Sequence, residues 1–290
     1  MVMHVFRTLG LVVVLSFASI SFGQGALAEA KDKLDAHWSE LNNLDISHTA
    51  RSEANTRFIP LFAQMLSKDS LFAIDVSFGP GMFVIYPPDS SFRVITWELF
   101  LTENSSRHFG VIQEASNPGK LLPLFDASEQ HSYRTKSILT RKNWFGQLYY
   151  DIIEVEGQDA KAYMLLGHDS KDSMSDFKII EPLVFRGGEV YFGAPIIEYP
   201  HDMPSISRED VLSQDSLTNR LFLEHKEGSS VQIVFEKGSQ TISYSHLSPI
   251  HESAQETYYN YVPDGTEAAF MWDGEYWRWF AEPPLISPNE

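Results

Sequence analysis

From Leu71 onward, apolar residues alternate with polar or small ones over short runs, and each run ends at turn-forming residues. A period of two puts successive side chains on opposite faces of a strand. The clearest unit is the pair of runs 268–272 and 275–280 around Asp273-Gly274. Asp-Gly between alternating runs is a strong hairpin signal, because both residues of a two-residue loop take positive φ. Such a loop sets Trp272 against Glu275, Met271 against Tyr276 and Phe270 against Trp277. One face then carries Phe270, Trp272, Trp277 and Trp279; the other carries Ala269, Met271, Tyr276, Arg278 and Phe280.

The same reading gives hairpins at 183–186 and 189–192 around Gly187-Gly188, with Arg186 facing Glu189, and at 151–156 and 161–167. Runs 220–225 and 231–235 flank Gly228, and 231–235 turns again through Lys237-Gly238 into 241–245. Earlier strands are expected at 72–78, 82–86, 92–99 and 107–113. No helix–strand alternation suggests a parallel sheet. The expected fold is mainly β: an antiparallel meander forming a sandwich, a barrel or a propeller-like array, without a fixed repeat to single out the propeller. Residues 71–290 form this β domain. Residues 196–219, polar and rich in Ser, Asp and Pro, are the candidate for a long excursion, with a short helix capped from Ser207.

Residues 29–70 read as a helical segment. Leu34, Trp38, Leu41 and Leu44 recur at helical spacing, as do Phe58, Leu61, Phe62, Met65 and Leu66, with Pro60 suited to a first turn. Both stripes read as core-facing. Ahead of them, Arg7, an apolar run over 9–22 and the small residues from Gly23 to Ala28 have the layout of a secretory signal peptide. Residues 1–23 are the expected leader, with cleavage after Gly23 or as late as Ala28. The run of about 14 apolar residues is short against the roughly 20 that span a bilayer. After cleavage no membrane span is expected, and the chain is expected in the periplasm or outside the cell.

Charge narrows the partners. The chain has 39 acidic and 22 basic residues, a net of -17. Losing residues 1–23 removes Arg7 and no acid, which leaves -18. Nucleic acid, whose affinity comes from Lys and Arg on phosphate, is excluded as a partner. An anionic membrane surface is unfavourable for the same reason. There is no cysteine, hence no disulfide, thiol nucleophile or thiolate metal site.

Several segments together resemble a family of exported proteins of Bacteroidetes-type bacteria. Asp89-Ser90-Ser91-Phe92-Arg93-Val94-Ile95-Thr96-Trp97 fits its Asp, two variable residues, aromatic, Arg, Ile or Val pattern ending in Trp. Residues 107–113 fit the strand that follows, and Leu165-Leu166-Gly167-His168-Asp169 resembles its Leu-Leu-Gly-Trp-Asp, with His168 where Trp is usual. Lys178-Ile179-Ile180, Phe192-Gly193-Ala194-Pro195, His246-Leu247-Ser248-Pro249 and Tyr261-Val262-Pro263-Asp264-Gly265 also fit, in order, over about residues 70–280. The family has no assigned activity. The resemblance implies export and relatedness of fold, and it transfers no functional residue.

Candidate ligand-binding residues come from three places. Arg93 and Trp97, four apart on one strand, share a face and would make a cation–π contact or hold a carboxylated sugar, against the plainer reading that Trp97 is core and Arg93 pairs with an acid. His168, Asp169, Asp172 and nearby Asp176 form the densest acidic turn, whose oxygens would suit Ca²⁺, against a solvated turn. Trp277 belongs to an aromatic face that would stack on sugar rings, against a core position. His251-Glu252 lacks the second histidine of a zinc protease helix, and neither a nucleophile elbow nor a phosphate-cradling glycine loop is present. No local motif calls for a cofactor or a metal. The balance leans away from catalysis, towards a binding or accessory module of the cell envelope with an envelope protein or a carbohydrate as partner. The alternative is a hydrolase acting on carbohydrate through carboxylates from different strands, which sequence spacing does not identify.

Overall fold

The computed structural model describes residues 24–283, apart from 75, 103–104, 132–136, 156–161, 171, 199–216 and 256. The expected leader and the Ser207 helix lie outside the described residues. The chain is mainly β, with two helices ahead of stacked antiparallel sheets, and none of the sheets closes into a barrel.

Helices α1 (Gln24–Leu41) and α2 (His48–Leu66) form an antiparallel hairpin. Leu34, Trp38 and Leu41 are buried against Phe58 and Phe62, as the stripes require. Leu44 is not on the stripe: α1 ends three residues before it, and Leu44 is 71% exposed. α2 starts well before Pro60, at a Ser47 side chain that accepts from the Ala50 N–H (3.2 Å), so Pro60 lies inside the helix rather than in its first turn. The expected strand at 72–78 does not form. Among the described residues of that stretch no sheet partner exists, and Phe78 instead packs edge-on against Phe58 and Phe62.

The first sheet is a meander, β1 (Met82–Ile85), β2 (Phe92–Thr102), β3 (Ser105–Glu114) and β4 (Leu121–Phe125), in that order. Both faces of β2 are covered. Ile95, Trp97 and Leu99 face the helices, while Phe92 and Val94 face the second sheet. That second sheet runs β5 (Leu139–Thr140), β9 (Glu189–Phe192), β8 (Ser175–Arg186), β7 (Ala162–Asp169), β6 (Leu148–Val155), with β12 (Leu221–Lys226) also on β8. The Gly187-Gly188 hairpin forms as expected, with Arg186 opposite Glu189 and both glycines at positive φ.

The third sheet runs β11 (Leu217–Thr218), β10 (Ile197–Glu198), β16 (Trp277–Phe280), β15 (Tyr261–Trp272), β14 (Thr241–Pro249), β13 (Ile233–Glu236). The expected hairpin across Gly228 is replaced by a crossing: β12 joins the second sheet and β13 the third. The Asp273-Gly274 loop has four residues, not two. Asp273 Oδ1 accepts from the N–H groups of Glu275 (2.9 Å) and Tyr276 (2.7 Å), so Trp272 pairs with Trp277 and Phe270 with Trp279. A slip of two residues leaves every side chain on its expected face, because the strand period is two.

The molecule is thus layered: helix pair, first sheet, second sheet, third sheet, with an apolar core in each of the three gaps. The middle gap, between the first and second sheets, holds the polar cluster described next.

Candidate metal centre

On β2 the positions facing the second sheet run Phe92, Val94, Thr96, Glu98; on β3 they run His108, Gly110, Ile112. The register sets Glu98 directly opposite His108. On β7 the residues facing back are Tyr163, Leu165, Gly167 and Asp169. Three strands from two sheets therefore deliver Glu98, His108 and Asp169 into one gap. Their side chains are 5%, 3% and 11% exposed. His108 Nε2 lies 3.7 Å from Glu98 Oε1 and 3.6 Å from Asp169 Oδ1. One donor atom from each of the three residues lies within 4.8 Å of the others.

A fourth group stands behind the imidazole. His108 Nδ1 is 3.7 Å from Asp126 Oδ2, and the His108 backbone N–H donates to the same oxygen at 2.8 Å. Asp126 Oδ1 accepts from the Ser128 N–H at 2.9 Å. The chain approaches Asp126 closely at Gly146, which has φ +79°; a Cβ there would stand 2.6 Å from the Asp126 carboxylate. The glycine makes room for the acid.

Electrostatics describe a site with too much negative charge. Burial pushes the His108 imidazole down, but Asp169, Asp126 and Glu98 together outweigh it and lift it to about 9. Burial lifts Asp169 to about 6 against the pull of His108, with Glu98, Asp126 and Asp176 adding to the rise. Burial also raises Glu98, with His108 and Ser106 opposing. Burial acts to raise Asp126 as well, but hydrogen bonding from His108 and Ser128 overcomes it and holds the acid below its ordinary value. Three carboxyl groups thus crowd one imidazole in a buried gap. Buried charge of that kind is stable when paired or bound to a metal.

The hydrogen-bond inventory points the same way. Glu98 Oε1 and His108 Nε2 are buried and have no hydrogen-bond partner among the described residues. Both are the atoms that converge on the gap. Two donors each about 2.1 Å from one ion and about 110–120° apart lie about 3.5 Å from each other. The observed 3.6 and 3.7 Å separations fit that geometry. An imidazole with two carboxylates and no thiolate suits Zn²⁺, Mn²⁺ or Fe²⁺. Asp126, 3.7 Å from His108 Nδ1, stands where an outer carboxylate would orient a metal-bound histidine.

The candidates from the sequence fall apart spatially. Asp169 joins the cluster. His168, its neighbour, points to the opposite face, where Nδ1 lies 3.1 Å from Phe177 O and burial lowers its pKa. Asp172 stays in its own turn, its Oδ1 accepting from Met174 N and Ser175 N, so the acidic turn does not gather its oxygens around one point. Arg93 and Trp97 do share a face, the one toward the helices, and both are buried. The Arg93 guanidinium stacks over Phe72 (5.2 Å) and bonds Gln113 Oε1 (2.8 Å), and Trp97 Nε1 donates to Asn55 Oδ1 (3.0 Å). Trp277 is buried in the core between the second and third sheets. Glu98, His108 and Asp126 were not singled out by the sequence. Glu98 and His108 fall within two expected strands, 92–99 and 107–113, and Asp126 follows β4, a strand the sequence reading did not include.

Two surface cavities, about 750 Å³ beside β1 and about 470 Å³ between α2 and β3–β4, have largely apolar walls, and neither is lined by the cluster. No helix among the described residues is long and apolar enough to cross a membrane. No family model, curated protein or solved structure matches this chain.

Proposed function

We propose that this chain is an exported binding protein of the bacterial cell envelope, related to the Bacteroidetes-type family it resembles, and that its ligand is a divalent metal ion held by Glu98, His108 and Asp169. The observation that carries the reading is the convergence of two buried donor atoms, Glu98 Oε1 and His108 Nε2, which lie 3.7 Å apart in the interlayer gap and have no hydrogen bond among the described residues. Export rests on the charge, apolar run and small residues of the N-terminus. An envelope protein or a carbohydrate is a further partner only through the surface, since the ion is sealed between sheets.

Binding stands ahead of hydrolysis for a geometric reason. Glu98 and Asp169 are a carboxylate pair with raised pKa values, as an acid–base pair would be. Their side chains are only 5% and 11% exposed beneath two layers, which leaves no path for a sugar chain. The test is metal analysis of protein purified without chelator, followed by calorimetric titration of Zn²⁺ and Mn²⁺ into the metal-free form. The reading expects one ion per chain, lost in His108→Ala. Absence of binding by the wild type overturns it.

A further inference from the structure

A second group without a hydrogen bond lies one step beyond the N-terminal end of β6. Gln147 is fully buried, and neither its Oε1 nor its Nε2 has a hydrogen-bond partner among the described residues. An amide in that state is costly, and a water or an ion is one way in which folded proteins complete the set. Its position follows from the register. The last pair of the β6–β7 ladder is Leu148 with His168, and continuing that register one step sets Gln147 level with Asp169. It sits two residues before Tyr149, which packs in the core between the first and second sheets, so Gln147 faces the same gap as Asp169. Residues directly opposite on neighbouring strands have Cβ atoms about 4.5–5.5 Å apart.

The local sequence makes room for the amide. Gly167 occupies the interior of β7, where glycine ordinarily weakens a strand. A Cβ at Gly167 would stand 3.3 Å from Gln147 Oε1 and 3.1 Å from Tyr149 Cδ1. The missing side chain is the space in which the Gln147 head lies. The first sheet closes the space from the other side. The Tyr149 N–H donates to Thr96 Oγ1 at 3.1 Å, and Thr96 is two residues before Glu98 on the same face.

We infer that Gln147 belongs to the metal centre as the residue that anchors a metal-bound water in the coordination position left open by Glu98, His108 and Asp169. This rests on the metal-binding reading above. The amide Oε1 accepts a hydrogen bond from the water, and the water's lone pair binds the ion. The ligand class that follows is a divalent ion with oxygen-rich coordination that keeps one water, Mn²⁺ or Zn²⁺, held as one imidazole, two carboxylates and one water. Gln147 acts through the water and is a positioning residue.

The experiment uses the mature chain, loaded with Mn²⁺ or Co²⁺, as wild type, Gln147→Leu and His108→Ala. In H₂¹⁷O, the Mn²⁺ resonance of the wild type should broaden by coupling to one bound water. In Gln147→Leu, metal affinity should fall about 10–100-fold, with one ion per chain retained and an altered Co²⁺ visible spectrum. Equal affinity and an unchanged spectrum in Gln147→Leu would overturn the inference. So would a wild-type ion with no water ligand, a result that does not depend on the variant's folding. Both outcomes leave the three-residue site standing. Failure of the wild type to take up any metal removes the site itself.

Discussion

His108 Nε2 stands 3.6 Å from Asp169 Oδ1 across the boundary between two sheets that share no strand. A long-range polar contact therefore joins the first sheet to the second, beside the hydrogen bond from the Tyr149 N–H to Thr96 Oγ1. The charge that makes this contact suitable for a cation also makes it costly without one, and the two consequences are separable by mutation.

Glu98→Gln removes one buried negative charge while His108 keeps Asp126 and Asp169 as partners. The raised pKa of Glu98 means that its ionised form opposes folding, so the penalty grows as pH rises above the unfolded value. In chelator at neutral pH the variant is expected to be as stable as the wild type or more stable. Its stabilisation by added metal should be lost. Urea unfolding with and without metal checks both signs; a loss beyond about 2 kcal/mol in chelator contradicts the account.

Asp126→Asn keeps the shape of the side chain and removes the charge behind His108 Nδ1. Metal affinity should fall about 10–100-fold with the fold intact. Gly146→Ala displaces the same carboxylate and places a non-glycine residue at φ +79°. It should add about 1–2 kcal/mol of destabilisation. Calorimetric titration and thermal melts separate the two effects.

Arg220→Met tests a buried pair of the opposite kind. Arg220 Nε donates to Glu181 Oε1 at 2.6 Å, and the Tyr149 hydroxyl donates to Glu181 Oε2 at 2.6 Å. Burial, followed by Glu181, raises the Tyr149 phenol well above its usual value and keeps it a donor. Removing the cation leaves Glu181 charged inside the core, at a cost of about 3–5 kcal/mol. Circular dichroism during denaturation measures it; a cost near zero would mean that solvent reaches Glu181.

Acid sensitivity has a surface component. Burial alone would raise Asp264, but Thr266, His246 and Ser248 bond it and hold it well below the carboxylate range. Its contribution is present above the unfolded value of about 3.9 and is lost as pH falls through the lower folded value. Asp264→Asn should flatten the loss of stability below about pH 4 and lower stability slightly at neutral pH, where the bonded carboxylate contributes.

How far the sequence reached depends on which physical signal carried each feature. Alternation and turn chemistry identified β2, β3, β6, β7, the last four residues of β8, β9 and the β13–β14 hairpin, because those strands follow one another in space as in sequence. They misjudged 72–78, where alternation without a sheet partner gives no strand, and β12, which pairs with β8 rather than β13. The last hairpin kept its faces but not its register, because Asp273 closes a wider loop through its side chain. The site was legible only at Asp169. Its partners Glu98 and His108 come from strands more than 60 residues earlier, and no local spacing joins them. Glu98 is masked further because β2 is buried on both faces, so an inward charge does not break an obvious apolar stripe.

The most direct test is the melting temperature of the metal-free mature chain titrated with Zn²⁺ or Mn²⁺, beside His108→Ala. At an ion concentration 100 times the dissociation constant, the wild type should gain about 2.7 kcal/mol, and His108→Ala should not respond. An unchanged wild-type melting temperature with both ions, or an equal gain in His108→Ala, would contradict the metal centre.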